Sequence, residues 1–146
     1  MSTSTKDSRF VQPLRWTENP TALRDIRDQV FIQEQKVPVE LEWDEEDITA
    51  LHFLAFNSAG LAIGCARFLP TGQIGRMAVL KAHRGHHVGE ALLLAAIDAA
   101  KQQNFSQVWL HAQLHALPFY EKYGFIAEGD IFDDAGIPHR MMRKTI

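Results

Sequence analysis

Six consecutive residues, Arg84 to Gly89 (RGHHVG), lie between a strand-like apolar run and an Ala/Leu-rich helical run. The start of a helix carries unpaired backbone N–H groups and the positive end of the helix dipole. Together these make an anion site, and phosphate is a common occupant. Gly85 and Gly89 let the main chain approach a ligand closely. Arg84 adds a fixed positive charge suited to phosphate. If the turn needs a positive φ at His87, histidine can supply it, though less easily than glycine. The Lys-Ser/Thr ending of a P-loop is absent, and so is the GxGxxG of a dinucleotide fold.

Other side chains that could do chemistry are scattered. Arg67 and Arg76 fall inside strand-like runs, where an arginine is rarely buried unpaired. They are expected either to pair with Glu34 or the acidic segment and shape a pocket, or to face solvent. Glu40 to Asp47 holds six carboxylates in eight residues, Asp44 among them. Such a run could attract a cation, although charge runs are more often solvated surface. Trp43 within it could pin the segment to the core. His83, His86 and His87 form one histidine group and His111 and His115 another, but neither has a metal-ligand pattern with cysteine or a firm carboxylate. No metal site is expected. Cys65, the single cysteine, reads as a buried small hydrophobe, and no internal disulfide can form.

The elements that must position these groups follow from periodicity. Phe10 to Trp16 reads as a short or edge strand because of Pro13. Asn19-Pro20 opens a helix that the spacing of Leu23, Ile26, Val30 and Phe31 carries to about Glu34. Leu51 to Phe56 and Leu61 to Leu69 flank a Gly-containing turn as a hairpin, and Ile74 to Leu80 continues the meander. Val88 to Gln103 is a buried helix, Val108 to Gln113 a buried strand, and Ala116 to Tyr123 a short helix closed by Gly124. Phe125 to Phe132 and His139 to Lys144 form a final hairpin around Asp133 to Gly136. This order predicts an α+β fold with a mixed, mostly antiparallel sheet flanked by helices. The strand–helix–strand unit from Ile74 to Gln113 is expected to be parallel and right-handed.

The segment IGRMAVLKAHRGHHVGEALL resembles motif A of the GNAT superfamily of N-acyltransferases, Arg/Gln-x-x-Gly-x-Gly/Ala. Arg84 and Gly89 match its ends, and His87 replaces its middle glycine. FYEKYGF, Phe119 to Phe125, resembles the end of motif B. QVFIQEQKVP, ELEWDEED, HAQ and GIPH resemble small bacterial members of the YjcF or ElaA type, so the likeness spans nearly the whole chain.

The resemblance implies a single domain over residues 1–146, with residues 1–8 a flexible tail, that binds acetyl-CoA and passes the acetyl group to an amine by direct attack. It implies that Arg84, Gly85, His86, His87, Val88, Gly89 and Glu90 receive the pyrophosphate. Met77, Ala78 and Val79 would supply backbone N–H groups to the carbonyl, and Gln113 would line the cofactor site. Tyr120 matches the family's leaving-group acid: a phenol stays protonated at neutral pH and can serve a thiolate of pKa about 8.5. The strand before motif A lacks the carboxylate base of some members. Glu34, the acidic loop with Asp44, and His139 are candidates, and a water chain with no single base is another route. Arg67, Arg76 and Asp44 would border the acceptor.

Length and composition agree with this reading. The chain has 146 residues, 46% hydrophobic and 23% charged, with net charge -3. That suits one packed domain and gives no basic face for nucleic acid. No run approaches the ~20 apolar residues of a membrane span, and the polar N-terminus lacks a secretory core, so a cytoplasmic location is expected. A small-molecule amine is the expected acceptor. A non-catalytic acyl-CoA sensor and a protein or peptide N-acetyltransferase are the rival readings. A homodimer through sheet edges is left open.

Overall fold

The computed structural model describes residues 10–146, and the expected N-terminal tail lies outside the described residues. Seven strands form two sheets. The first, in order β1-β2-β3-β4, comprises β1 (Phe10–Leu14), β2 (Leu51–Phe56), β3 (Ala62–Phe68) and β4 (Ile74–Val79). The second, in order β5-β7-β6, comprises β5 (Gln107–Gln113), β6 (Ile126–Asp134) and β7 (Ile137–Thr145). All pairings within each sheet are antiparallel. A parallel bridge from Gln73 to Trp109 links the two, as the expected parallel unit requires.

β2 and β3 are buried on both faces, so their alternation feeds two layers. Phe53, Ala55, Ala66 and Phe68 pack with Leu92, Leu93 and Ala96 of α4 (Val88–Gln102). Leu54 and Cys65 pack on the opposite side with Leu23 and Ile26 of α1 (Pro20–Arg27). Gly64 permits close approach of α4: a Cβ there would sit 3.0 Å from Leu92 Cδ1 and 3.1 Å from the Ala78 carbonyl oxygen.

α1 starts as its sequence dictates. The Asn19 side chain accepts from the Ala22 N–H at 3.3 Å, with Pro20 at the first turn. The helical segment runs to Glu34 as expected, but Asp28–Glu34 is wound as a π-helix. Its last bond, Gln35 N–H to the Val30 carbonyl at 3.0 Å, spans five residues. Apolar spacing alone does not distinguish this wider turn from an α-turn, and such turns recur at functional sites.

The acidic segment is more ordered than a loop. It carries two short helices, α2 (Val39–Glu42) and α3 (Glu46–Thr49). The final hairpin is longer than expected and its turn tighter. β6 and β7 run to Asp134 and Ile137, leaving Ala135 and Gly136 as turn residues with φ of 55° and 82°. Two positive φ values in succession match the twist of antiparallel strands.

Candidate active site

Two features open the fold at its centre. Beyond the Gln73–Trp109 bridge, β4 and β5 are no longer paired. Beside that opening β4 bulges: Cys65 and Arg67 of β3 face Ala78 and Gly75, so three β3 residues span four on β4. Arg76 takes up the extra length at φ 47°, a left-handed conformation unusual for arginine. The buried Cys65 thiol donates to the Arg76 carbonyl at 3.4 Å and helps hold the bulge. Burial pushes that thiol up to about 12, which removes it as a nucleophile. A cavity of about 910 Å³ occupies the opening, with Gly75 to Val79 on one wall and His111 and Gln113 of β5 on the other.

Of the anion turn, Arg84 lines this cavity, and Gly85 to Gly89 lie outside its lining. Gly85 has φ 83°, and His87 has φ 64° as the residue that caps the N-terminus of α4. The turn does require positive φ at His87, and histidine supplies it. The Val88 side chain is buried under the helix, so only its main chain can reach a ligand. The Glu90 carboxylate accepts the Tyr123 hydroxyl at 2.6 Å and lies 3.3 Å from His87 Nδ1. A Cβ added at Gly85 would meet nothing within 4 Å, and one at Gly89 would touch only Phe119 Cζ at 3.7 Å. The turn is open enough for an anion to sit against its N–H groups.

Tyr120 comes from α5 (Leu117–Glu121) and lines the cavity opposite β4. Its hydroxyl points to Met77 Sδ at 3.9 Å, and Phe119 and Phe125 meet its ring edge-on. Burial pushes the phenol up to about 12, so it is a loaded donor at any physiological pH. Met77, Ala78 and Val79 line the same wall.

The second sheet supplies the far wall. Cross-strand pairing puts Gln113, His139 and Phe132 on one face. Phe132 stacks with His139 at 6.0 Å and meets His111 edge-on at 4.8 Å. His139 Nδ1 lies 2.7 Å from the Ile137 carbonyl oxygen. A carbonyl only accepts, so Nδ1 donates here, and in the neutral ring Nε2 is the acceptor nitrogen. Burial pulls the His111 imidazole below its usual range, with the Asp134 carboxylate opposing and His139 reinforcing that shift. Gln35 accepts from the Gln113 side-chain amide at 3.0 Å and ties the π-segment to β5 across the cavity.

The charged candidates separate into three groups. Glu34 and Arg84 both line the cavity and pair with each other through two bonds of 2.6 and 2.7 Å. Arg84 Nε donates to the Val79 carbonyl at 2.9 Å. The Arg84 hydrogen bonds hold the Glu34 carboxyl below the usual carboxylate range, which makes Glu34 a weak base in this state. Arg76 also lines the cavity, with its Nη2 donating to the Glu42 carbonyl at 2.9 Å and to Asp44 Oδ2 at 3.3 Å.

Arg67 and Asp44 do not line this cavity, and Arg67 pairs with the acidic segment as its position in a strand suggested. Arg67 is 4% exposed and spends its guanidinium on Asp44 at 2.8 Å and Asp47 at 3.0 Å. Arg27, 1% exposed, takes Glu42 at 2.7 Å and the other side of Asp47 at 2.8 Å. The acidic segment thus turns Glu42, Asp44 and Asp47 onto arginines rather than presenting them to a cation. Trp43 lies against Arg24 and Arg27, 5.1 and 5.0 Å from its ring centroid, and pins the segment as its sequence position suggested. Among the described residues no group of three or more His, Cys, Asp or Glu side chains converges as a metal site would require.

Comparison with known proteins decides the lineage. The sequence model described as an acetyltransferase (GNAT) domain matches residues 19–146. The chain belongs to the GNAT acetyltransferase family. Among its GNAT relatives, the uncharacterized N-acetyltransferase YjcF of Bacillus subtilis is 36% identical over 134 residues, 87% of this chain and 95% of YjcF. Escherichia coli ElaA is 31% identical over 86% of both chains, and its crystal structure superposes with TM-score 0.81 over 92% of this chain and 99% of ElaA. An acyl-CoA N-acyltransferase from Pseudomonas aeruginosa superposes with TM-score 0.83 at 29% identity, covering 94% of this chain and all of the other. The split between β4 and β5 and the turn before α4 are therefore features of a GNAT fold.

Sequence reading placed the turn, β4 and Tyr120 together, and in the structure Arg84 alone of the turn shares the cavity with Met77 to Val79, Tyr120, Glu34, Arg76, Gln113 and His139. It missed His111, Asp134 and Phe119 as lining residues. The register of the final hairpin was the available signal for Asp134, because two-residue spacing places it on the face of Phe132.

Proposed function

We propose that this protein is an acetyl-CoA-dependent N-acetyltransferase acting on a small amine. The observation that carries the proposal is the convergence of Arg84, the first residue of the open turn into α4, the unpaired stretch of β4 and the Tyr120 phenol on one cavity. The residues present fit an acyl-CoA. The turn's N–H groups, with the dipole of the 15-residue α4 behind them, would hold the diphosphate. Gln113 and the open edge of β4 would flank the pantetheine arm. Bound there, the group supplies a thioester.

The chain's own residues divide the remaining work. Main-chain N–H groups of Met77 to Val79 receive the developing charge on the carbonyl oxygen. His139 Nε2 takes a proton from the acceptor's ammonium, so the nitrogen can attack the thioester carbon. The C–S bond would break with Tyr120 donating its proton to the sulfur, and the second proton leaving the acylated nitrogen would restore the phenol. His139 is favoured over Glu34 because its Nδ1 is fixed by Ile137, whereas Glu34 is held as a carboxylate by Arg84.

A small acceptor is supported by the cavity volume of about 910 Å³, which lies within the usual range of small-molecule pockets and must also admit the pantetheine arm. The test is to mix the protein with acetyl-CoA and a panel of small amines and follow thiol release. Release with at least one amine is expected. Coenzyme A binding without release for any amine would leave a sensor module instead.

A further inference from the structure

The Arg84–Glu34 pair has the two-pronged geometry that a guanidinium adopts with a phosphate. Arg84 is also the cation of the anion turn, so Glu34 occupies donors that a diphosphate would use. We propose that Glu34 stands in for the diphosphate in the free protein, and that donor binding transfers Arg84 to the diphosphate and releases Glu34 into the cavity to receive the acceptor's ammonium. This rests on the acyl-CoA reading above.

Three observations support the exchange. The pair is accessible, with side chains 39% and 37% exposed, so solvent weakens it and it can open. A diphosphate brings more charge than a carboxylate and also gains the N-terminus of α4. Arg84 does not have to move far, because its Nε stays anchored on the Val79 carbonyl.

The released carboxylate has a defined place. Glu34 ends the π-helical segment, and its neighbour Gln35 is tied to Gln113 on the opposite wall. The other full charges along the cavity are Arg76, already bonded to Asp44 and flanked by Glu42, and Asp134 near His111. Freed from Arg84, Glu34 joins Asp134 as a second carboxylate facing the cavity. That balance selects an acceptor that arrives as a cation, a primary amine in its ammonium form. It also sets an order, with donor before acceptor.

The test is calorimetric titration of coenzyme A alone into the wild type, Glu34→Gln, Arg84→Gln and the double variant, with melting curves to confirm folding. Glu34→Gln is expected to bind coenzyme A roughly three- to tenfold more tightly than the wild type, and to have no effect in the Arg84→Gln background. With an amine found in the thiol-release screen, Glu34→Gln should raise KM for that amine about tenfold with a smaller change in kcat. Equal or weaker coenzyme A binding by Glu34→Gln would overturn the exchange while leaving the acyl-CoA reading intact. No coenzyme A binding by the wild type would overturn both.

Discussion

The Tyr120 hydroxyl lies 3.9 Å from Met77 Sδ, joining the short helix α5 to the bulged part of β4. The contact places a protonated phenol beside the strand whose main chain faces the opening between the two sheets. Tyr120→Phe keeps the ring packing against Phe119 and Phe125 and removes only the donor. It should lower kcat by about 10²- to 10³-fold, the scale of a lost acid. Coenzyme A affinity should stay within about twofold. Steady-state kinetics with a calorimetric Kd separates the two quantities, and an undiminished kcat removes Tyr120 from the reaction.

His87 holds a left-handed conformation at the start of α4. A non-glycine residue there costs roughly 1–2 kcal/mol, and its exposed contact with Glu90 returns little of this. His87→Gly should raise the thermal midpoint by about 2–4 °C, whereas the β-branched His87→Val should lower it and weaken coenzyme A binding. Thermal unfolding of the two variants checks the sign. If both variants melt together, the turn does not require positive φ.

Arg27 is enclosed by Glu42, Asp47 and the rings of Trp16 and Trp43. Arg27→Met fills similar volume but leaves Glu42 and Asp47 with one fewer cation in a buried site. Removing one partner from such a cluster costs about 3–5 kcal/mol. Urea unfolding should show a loss of that size, and a loss below about 1 kcal/mol would mean that Arg67 and Arg76 compensate.

His52 is buried, and its Nε2 lies 2.8 Å from the Asp47 carbonyl oxygen. Burial lowers its pKa from 6.5, with the Asp47 interactions opposing. The unfolded chain therefore takes up a proton on this ring at a higher pH than the folded chain does. Its contribution to stability is complete above about pH 6.5 and is lost as pH falls through that value toward the folded pKa. The wild type should lose stability between about pH 7 and about pH 5, and His52→Gln should lose less over the same interval. Denaturant midpoints across that range make the comparison, and identical slopes would assign the effect elsewhere.

Much of this architecture is legible in the sequence because local signals agree with the tertiary structure. Asn19-Pro20 caps α1, the apolar run Leu51 to Phe56 becomes a strand buried on both faces, and Arg84 to Gly89 turns into α4 as its glycines suggest. The parts that were not legible depend on distant partners. Nothing in IGRMAV marks Arg76 for positive φ, since the bulge arises from the register against Cys65 and Arg67. The π-winding after Arg27 keeps the apolar spacing of an α-helix. Arg67 looks like a candidate pocket arginine until Asp44 and Asp47, 23 and 20 positions earlier, fold over it. Glu34 and Arg84 are fifty residues apart, and only the packed fold joins them.

The central claim is that main-chain N–H groups of the Arg84–Gly89 turn grip a diphosphate. The most direct measurement is an amide-resolved NMR titration of the labelled protein with coenzyme A. The account predicts that the largest shifts fall on the amides from Arg84 to Glu90 and along Met77 to Val79, saturating together. Saturable shifts confined to other surfaces, with the turn unmoved, would contradict it.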